Sequence, residues 1–229
     1  MNPMPSRRRF LALASAGAAA TAAIRGLEAH GQDEPGKIKI VGVACSPRKG
    51  MTTAMSLQVC LDAAKEVAPE RIETELIELA GLSIPWEPSV GMPLPSGVAD
   101  DFPPIAEKLA DPAVQGIIVG SPVYFAGMTA LCKAFLDRCG VFRRQDFALS
   151  GKVAGALAVG GARSGGQELT IQSIQTALMC QEMLIVGEGR PTSHFGARLW
   201  NQNDDVSKDE FGIATAKSLG RHVAQVALS

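Results

Sequence analysis

Five short apolar segments, each followed by a helical pattern, constrain the fold more than any other feature of this sequence. Such apolar runs are typical of strands that are buried on both faces of a parallel sheet. The predicted strands cover 37–44, 72–79, 116–120, 153–159 and 183–187. The predicted helices cover 52–66, 104–110, 127–139, 167–180 and 208–227. This alternation predicts an α/β domain with helices on both faces of a parallel sheet.

Composition narrows the class of protein. The chain has 229 residues, of which 46% are hydrophobic and 20% are charged, as in ordinary globular proteins. Residues 37–228 suffice for one domain, which takes roughly 100–200 residues. The formal net charge of −1 gives no reason to expect nucleic acid or an anionic membrane as a partner.

The N-terminus has the pattern of an export signal. Arginines at 7–9 precede Phe10 and Leu11, and an alanine-rich apolar run covers 12–24. This basic region and apolar run have signal-peptide lengths, and the arginine pair resembles the twin-arginine signal. We therefore expect residues 1–31 to be a signal peptide and linker, and the protein to be periplasmic or otherwise exported by the twin-arginine route. An uncleaved anchor or an unstructured basic terminus is the alternative.

Three predicted strands end in loops rich in glycine and hydroxyl side chains, at 46–53, 120–128 and 160–168. The carboxyl ends of parallel strands meet at one edge of a sheet, where open α/β sheets bind their ligands. We therefore expect the three loops, called loops 1, 2 and 3, to border one site.

Loop 1 has the composition of an anion site. A helix N-terminus attracts anions through its unpaired N–H groups and its dipole. Ser46, Thr52 and Thr53 add hydroxyl donors, and Arg48 adds positive charge. The loop has neither the Walker pattern nor the G-x-G-x-x-G pattern. A helix capped by Thr52 without a ligand is the alternative.

Loops 2 and 3 suit a flat ring. Loop 2 places Tyr124, the only tyrosine, and Phe125 between a strand and a helix, where an aromatic edge and backbone amides can face a heterocycle. Loop 3 contains four glycines, which permit close backbone approach. An aromatic pair that fills the core and a long flexible turn are the respective alternatives.

Over residues 37–228 the chain resembles the NADPH-dependent FMN reductase and flavodoxin-like superfamily. SPRKGMTT resembles its FMN-phosphate loop, with Met51 and Thr52 where a glycine-asparagine pair is common. GSPVYFAGMTALCKAFLDR matches best, and GGARSGGQE resembles the third loop. The resemblance implies a flavodoxin-like three-layer sandwich whose five-stranded parallel sheet has the order 2-1-3-4-5. It also implies a set of FMN-binding residues: Ser46, Arg48, Gly50, Thr52, Thr53, Pro122, Val123, Tyr124, Phe125, Gly127, Gly161, Arg163 and Gly165.

The same resemblance implies an FMN-dependent oxidoreductase that passes electrons from NADPH or NADH to a quinone, flavin or similar acceptor. It also implies a homodimer or homotetramer. Flavin chemistry requires no acid–base pair from the protein, so no catalytic side chain is assigned. Because NADPH should be scarce outside the cytoplasm, an exported FMN-binding electron carrier with a protein redox partner is the alternative. A scaffold that has lost FMN is a third reading.

One segment resembles the iron–sulfur flavoprotein branch of the superfamily. Asp100, Asp101 and Phe102 match a segment that follows a cysteine cluster in that branch. Residues 84–97 of this chain contain no cysteine, so we expect neither an iron–sulfur cluster nor another metal here. Trp86 in this segment is either a lid over the site or a structural side chain.

Overall fold

The structure, a computed structural model, describes residues 36–229. The predicted signal segment at 1–31 lies outside the described residues. Across 36–229, no helix combines the length and the apolar character needed to cross a membrane.

Strands and helices alternate along the described chain. The strands are β1 (Ile38–Ala44), β2 (Ile72–Glu78), β3 (Val114–Pro122), β4 (Val153–Gly160), β5 (Leu184–Ile185) and β6 (Ala197–Trp200). The α-helices are α1 (Thr52–Lys65), α2 (Phe102–Ala110), α3 (Ala130–Arg138), α4 (Gly140–Arg144), α5 (Gln167–Met179) and α6 (Glu210–Ala227). The proline and glycine content of residues 81–104 predicts a long loop, but a 3-10 helix at Glu87–Val90 interrupts it. The sequence pattern predicts neither β6 nor α4 nor this 3-10 helix.

The sheet is parallel and has the order β2-β1-β3-β4-β5. This order confirms the flavodoxin-like prediction. A short sixth strand, β6, also pairs in parallel with β4.

The fifth position of the sheet differs from the single strand predicted at 183–187. β5 pairs with the beginning of β4, at Val153 and Ala154, whereas β6 pairs with the end of β4. Between them, Gly189 and Ser193 have φ angles of 70° and 55°, which no regular strand adopts. The chain therefore leaves the sheet as a loop at 186–196 and then returns to the same edge.

The central strands are buried on both faces. One face packs against α2, α3, α4 and α5 through side chains such as Phe102, Phe135 and Ile171. The other packs against α1 and α6, where Leu57 and Leu219 are fully buried. Each buried side chain of this size contributes about 1.5–3 kcal/mol to folding. These two cores hold the carboxyl ends of β1, β3 and β4 side by side.

Candidate functional site

Loops 1, 2 and 3 follow three strands that are neighbours in the sheet. β1 pairs with β3 up to Ala44 and Gly120, and β3 pairs with β4 beyond that point. The backbone N–H of Cys45 continues the β1–β3 ladder by donating to the carbonyl of Gly120 at 2.8 Å. The three loops therefore lie at one edge of the sheet, as expected from parallel pairing.

Thr129 joins loop 1 to loop 2. Its hydroxyl donates to the carbonyl of Cys45 at 2.7 Å and accepts from the N–H of Cys132 at 3.0 Å, which caps α3. Its own N–H donates to the hydroxyl of Ser121 at 3.1 Å. Thr129 is not among the predicted site residues, because the helix was expected to begin at 127. A threonine before an apolar helical pattern is nevertheless an N-cap signal.

Loops 2 and 3 are also in contact. Gly166 has a φ angle of 100°, and a Cβ added there would lie 2.8 Å from the Cα of Ala126 and 3.5 Å from a methyl of Val123. No other residue type fits this approach without movement of the backbone. The glycine therefore sets the distance between the two loops.

The N-terminus of α1 has no side-chain cap. Met51 occupies the N-cap position, and the first turn contains no acidic residue. The alternative in which Thr52 caps the helix is therefore wrong, because Thr52 is the first helical residue. Thr52 and Thr53 are buried at 3% and 1% exposure, beneath the exposed part of loop 1. This leaves backbone N–H groups of the first turn available to an anion.

Two carboxylates contact loop 1 from other elements. Arg48 donates to Asp204 at 2.8 Å, and the N–H of Gly50 donates to Glu78 at 2.6 Å. The hydrogen bond from Arg48 holds the pKa of Asp204 below its ordinary value. Arg48 and Asp204 are both about half exposed, so the pair is accessible to solvent and to a competing anion.

Ser46 shapes the bend of loop 1. Its hydroxyl accepts from the N–H of Arg48 at 3.1 Å and lies 3.2 Å from the Arg48 carbonyl. Gly50 follows with a φ angle of 67°, and an added Cβ would meet nothing within 4 Å. Any residue other than glycine would strain the backbone at this φ angle. The space beside Gly50 is empty, so a ligand could approach the backbone there.

Loop 2 ends in a tight turn with unusual backbone angles. Tyr124 and Gly127 exchange two backbone hydrogen bonds, at 2.9 and 3.1 Å. The central residues, Phe125 and Ala126, have φ angles of 51° and 61° although neither is glycine. Phe125 is fully exposed and Tyr124 is 48% exposed. Strain of this kind, which costs about 1–3 kcal/mol per residue, often marks a binding site. The alternative in which this aromatic pair fills the core is therefore wrong.

The remaining predicted residues of loop 2 are partly buried. Pro122 is the last residue of β3, and the N–H of Val123 donates to the carbonyl of Val159 at 2.9 Å. Val123 also packs against the core beside α3 and α5. Both residues therefore contact Val159 of β4, the strand that leads into loop 3.

Loop 3 is folded around Gln167. The Gln167 amide accepts from the N–H of Gly165 at 2.8 Å and donates to the carbonyl of Ala162 at 2.6 Å. Gly161 is exposed, and its carbonyl accepts from the indole of Trp200 at 3.2 Å. Two hydrogen bonds within the loop and one from Trp200 order it, so the flexible-turn alternative is not favoured.

Arg163 is directed away from the other predicted residues. It donates to the buried carboxylate of Asp209 at 2.6 Å, and its guanidinium lies 5.3 Å from the centre of the Trp200 ring. Asp209 also accepts from the N–H groups of Trp200 and Gly212, which caps α6. Arg163 therefore ties loop 3 to β6 and α6 rather than facing loops 1 and 2.

The donors at this edge fit the phosphate of FMN. An uncapped helix N-terminus, serine and threonine hydroxyls and one arginine are the groups that bind phosphate in proteins. The exposed aromatic side chains of loop 2 lie at the neighbouring strand and offer apolar surface to a flat ring. Ser46, Arg48, Gly50, Thr52 and Thr53 thus group at loop 1, whereas Tyr124, Phe125 and Gly127 group at loop 2.

The cysteines do not form a metal site. Within residues 36–229, no group of three or more His, Cys, Asp or Glu side chains could hold a metal ion. Cys45, Cys60, Cys132 and Cys139 are buried free thiols, whereas Cys180 is exposed. Burial raises the pKa of Cys45, Cys60 and Cys139, so these thiols stay protonated at neutral pH.

Known proteins share this sequence pattern and fold. An iron–sulfur flavoprotein from Methanocaldococcus jannaschii is 37% identical over 195 residues, which cover 82% of this chain and 97% of the relative. An NAD(P)H dehydrogenase (quinone) from Paracoccus denitrificans is 34% identical over 147 residues, 56% of this chain and 68% of the relative. The crystal structure of a WrbA-like flavodoxin from Agrobacterium tumefaciens aligns with a TM-score of 0.56 at 18% identity, over 84% of this chain and 98% of that protein.

The family model described as NADPH-dependent FMN reductase matches residues 38–197, which include β1 to β5 and all three loops. Together with the relative at 37% identity, this match supports FMN-dependent oxidoreduction. The chain belongs to the NADPH-dependent FMN reductase family.

Proposed function

We propose that this protein passes electrons from NADPH or NADH to a quinone, a flavin or a similar acceptor through FMN held at loops 1, 2 and 3. The family description supports the nicotinamide donor, and the name of the Paracoccus denitrificans relative supports a quinone acceptor. When bound, FMN supplies two-electron redox chemistry, whereas the protein supplies binding and orientation.

The uncapped N-terminus of α1 carries this proposal. The N–H groups of its first turn, with the hydroxyls of Ser46, Thr52 and Thr53, would hold the phosphate, and the positive end of the helix dipole would stabilise its charge. Arg48 would exchange its exposed contact with Asp204 for a contact with the phosphate. This exchange costs little, since exposed ion pairs contribute only about 0–1 kcal/mol.

Loops 2 and 3 would position the flavin ring. The tight turn at 124–127 holds Tyr124 and Phe125 outward from the protein surface, so their rings are accessible before any ligand binds. Gly166 sets the gap between the turn and loop 3. A rigid, preformed contact surface lowers the entropy cost of binding a planar ring.

The experiment compares FMN with riboflavin, which lacks the phosphate. The purified full chain is stripped of flavin and titrated with each, following flavin fluorescence. We expect Arg48→Gln to weaken FMN binding by about 10- to 100-fold, the loss of one charged hydrogen bond, and to leave riboflavin binding unchanged. Lys65→Gln, at the opposite end of α1, is the matched control. A protein that is colourless when purified and indifferent to FMN contradicts the proposal.

The electron donor needs a separate measurement. Anaerobic stopped-flow mixing of the FMN-loaded protein with NADPH or NADH should bleach the flavin absorbance within the turnover time. Rapid bleaching by dithionite but not by either nicotinamide would instead favour an electron carrier that takes electrons from a protein partner.

We further propose that the protein is exported with FMN already bound. The arginines at 7–9 and the apolar run at 12–24 support this route, which carries folded proteins. Replacing Arg7 and Arg8 by lysine should retain the protein in the cytoplasmic fraction of cells that use the twin-arginine route. Unchanged fractionation of this variant would contradict export by that route.

A further inference from the structure

A cationic pocket lies at the edge of the sheet, between the loop at 186–196 and α6. Its walls include Gly189, Arg190, Ser193, Ser218, Arg221 and His222, and it encloses about 540 Å³. We call it the edge pocket. Asp209, at the start of α6, contacts Arg163 of loop 3. Since an α-helix rises about 1.5 Å per residue, residues 218–222 lie roughly 14–20 Å farther along α6. The edge pocket is therefore separate from the site that the three loops form.

The positive charge of the edge pocket has no carboxylate partner among the residues that line the pocket. No acidic side chain is among its lining residues. Neither Arg190 nor Arg221 forms an ion pair within residues 36–229, and Arg221 only approaches the hydroxyl of Ser218, at 3.5 Å. In contrast, Arg138 and Arg198 each pair with a carboxylate. Two arginines that share a pocket without a counter-ion repel each other unless an anion binds between them.

His222 is held rigidly in the wall. Its Nδ1–H donates to the carbonyl of Gly187 at 2.9 Å, so Nε2 remains available. The backbone of Gly189, with a φ angle of 70°, packs on the ring so closely that an added Cβ would lie 2.9 Å from the His222 Cγ. The hydrogen bond and this packing fix the ring before any ligand arrives.

The one carboxylate of the 186–196 loop, Glu188, contacts His194 with one oxygen, whereas its buried Oε2 has no hydrogen-bond partner within residues 36–229. Glu188 is fully buried, and one of its oxygens accepts from the N–H of His194 at 3.1 Å and lies 3.0 Å from its Nδ1. His194 belongs to a different cavity, with Arg198 and Trp200. Glu188 is therefore not among the groups that line the edge pocket.

We propose that the edge pocket binds the phosphate group of a small molecule. Arg190 and Arg221 supply charge-assisted hydrogen bonds, and Ser193 and Ser218 supply hydroxyl donors. The volume leaves room for an organic group beyond the phosphate, since small-molecule sites measure about 300–1,000 Å³. A polyanion is disfavoured because the chain has a net charge of −1 and the positive charge is confined to a concave pocket.

The test uses inorganic pyrophosphate as the probe and the full chain saturated with FMN, with ionic strength held constant by NaCl. We expect calorimetry to show one saturable site. Arg190→Gln and Arg221→Gln should each weaken pyrophosphate binding by about tenfold, the effect of one charge-assisted hydrogen bond. Lys217→Gln is the matched control, because Lys217 is an exposed cation on α6 that does not line the pocket.

Several outcomes decide the proposal. Absence of saturable binding, or equal weakening by Lys217→Gln, overturns it. If only Arg48→Gln weakens pyrophosphate binding, the anion binds at loop 1 and the edge pocket proposal is wrong. Arg190 is exposed, so its variant should retain the fold even if Arg221→Gln does not. The outcome does not depend on flavin chemistry, since pyrophosphate binding can also be measured on flavin-free protein with Arg48→Gln as its background.

Discussion

Arg138 donates two hydrogen bonds to the carboxylate of Asp100, from Nη1 at 2.9 Å and from Nη2 at 2.7 Å. Arg138 also donates to the carbonyl of Pro85 at 2.8 Å, and its guanidinium lies 4.6 Å from the centre of the Phe102 ring. One side chain at the end of α3 thus binds Pro85, within the cysteine-free segment at 84–97, and Asp100, just beyond it. This pair orders a segment that sequence patterns predict only as a long loop.

Asp100→Asn should destabilise the protein. The variant loses a charged partner of a guanidinium that is only 8% exposed, so we expect the free energy of unfolding to fall by about 1.5–3 kcal/mol. Urea denaturation measures this change. Asp137→Asn removes an exposed pair with Lys133 and should change the free energy by no more than about 0.5 kcal/mol. Equal changes in the free energy of unfolding would show that the Arg138–Asp100 pair contributes no more to stability than an exposed ion pair does.

The Arg138–Asp100 pair should also make stability depend on pH. Hydrogen bonding from Arg138 holds the pKa of Asp100 below its ordinary value in the folded protein. The unfolded state therefore binds the proton more readily, and the stabilisation is present above about pH 4 and lost as the pH falls through the folded pKa. The difference in unfolding free energy between the natural protein and Asp100→Asn should narrow from pH 5 towards pH 3. A difference that stays constant over this range contradicts the assignment.

Thr129→Val should loosen the contact between loops 1 and 2. It removes the hydrogen bond to Cys45 and the cap of α3 at a site that is 3% exposed, at a cost of about 1–2 kcal/mol. FMN affinity, measured by fluorescence titration, should fall as well, because the loops no longer hold their relative positions. Thr176→Val removes a local bond on the exposed face of α5 and serves as the control. Loss of stability without loss of FMN affinity would show that Thr129 acts on folding alone.

Gly220→Ala should destabilise the packing of α6 on α1. An added Cβ would clash with the carbonyl oxygen of Cys60, which is backbone and cannot move alone. Such overpacking typically costs about 1–3 kcal/mol, seen as a lower thermal midpoint. Gly140→Ala is the contrast, since nothing lies within 4 Å of its added Cβ, and it should be neutral or stabilising by up to about 1 kcal/mol. Similar midpoints for the two variants would contradict this account.

Cys180 should be the only thiol that reacts in the folded protein. Four cysteines are buried, and burial raises the pKa of Cys45, Cys60 and Cys139, which suppresses the thiolate. Mass spectrometry after iodoacetamide treatment at pH 8 should show one label in the native state and five in urea. Cys180→Ser should abolish native labelling. Native labelling of a second cysteine would show that the core opens on the labelling timescale.

Local sequence patterns predicted most of the architecture. Apolar runs located β1, β3 and β4, and glycine and hydroxyl residues located the three loops, because strand burial and turn geometry depend on neighbouring residues. The strand order followed from resemblance to a family rather than from periodicity, since the same alternation fits several orders. The division of the fifth strand into β5 and β6 could not be predicted, because segments of two and four residues are too short to show a strand pattern.

The sequence by itself determined that a loop rich in hydroxyl and cationic side chains opens a helix after β1, since Ser46 to Thr53 are contiguous. The partners of those residues depend on the tertiary structure. Arg48 meets Asp204, 156 positions away, and Arg163 meets Asp209 instead of the neighbouring loops. The edge pocket likewise combines the 186–196 loop with α6. Contacts between residues so distant in sequence arise only when the sheet and helices pack, which no local pattern encodes.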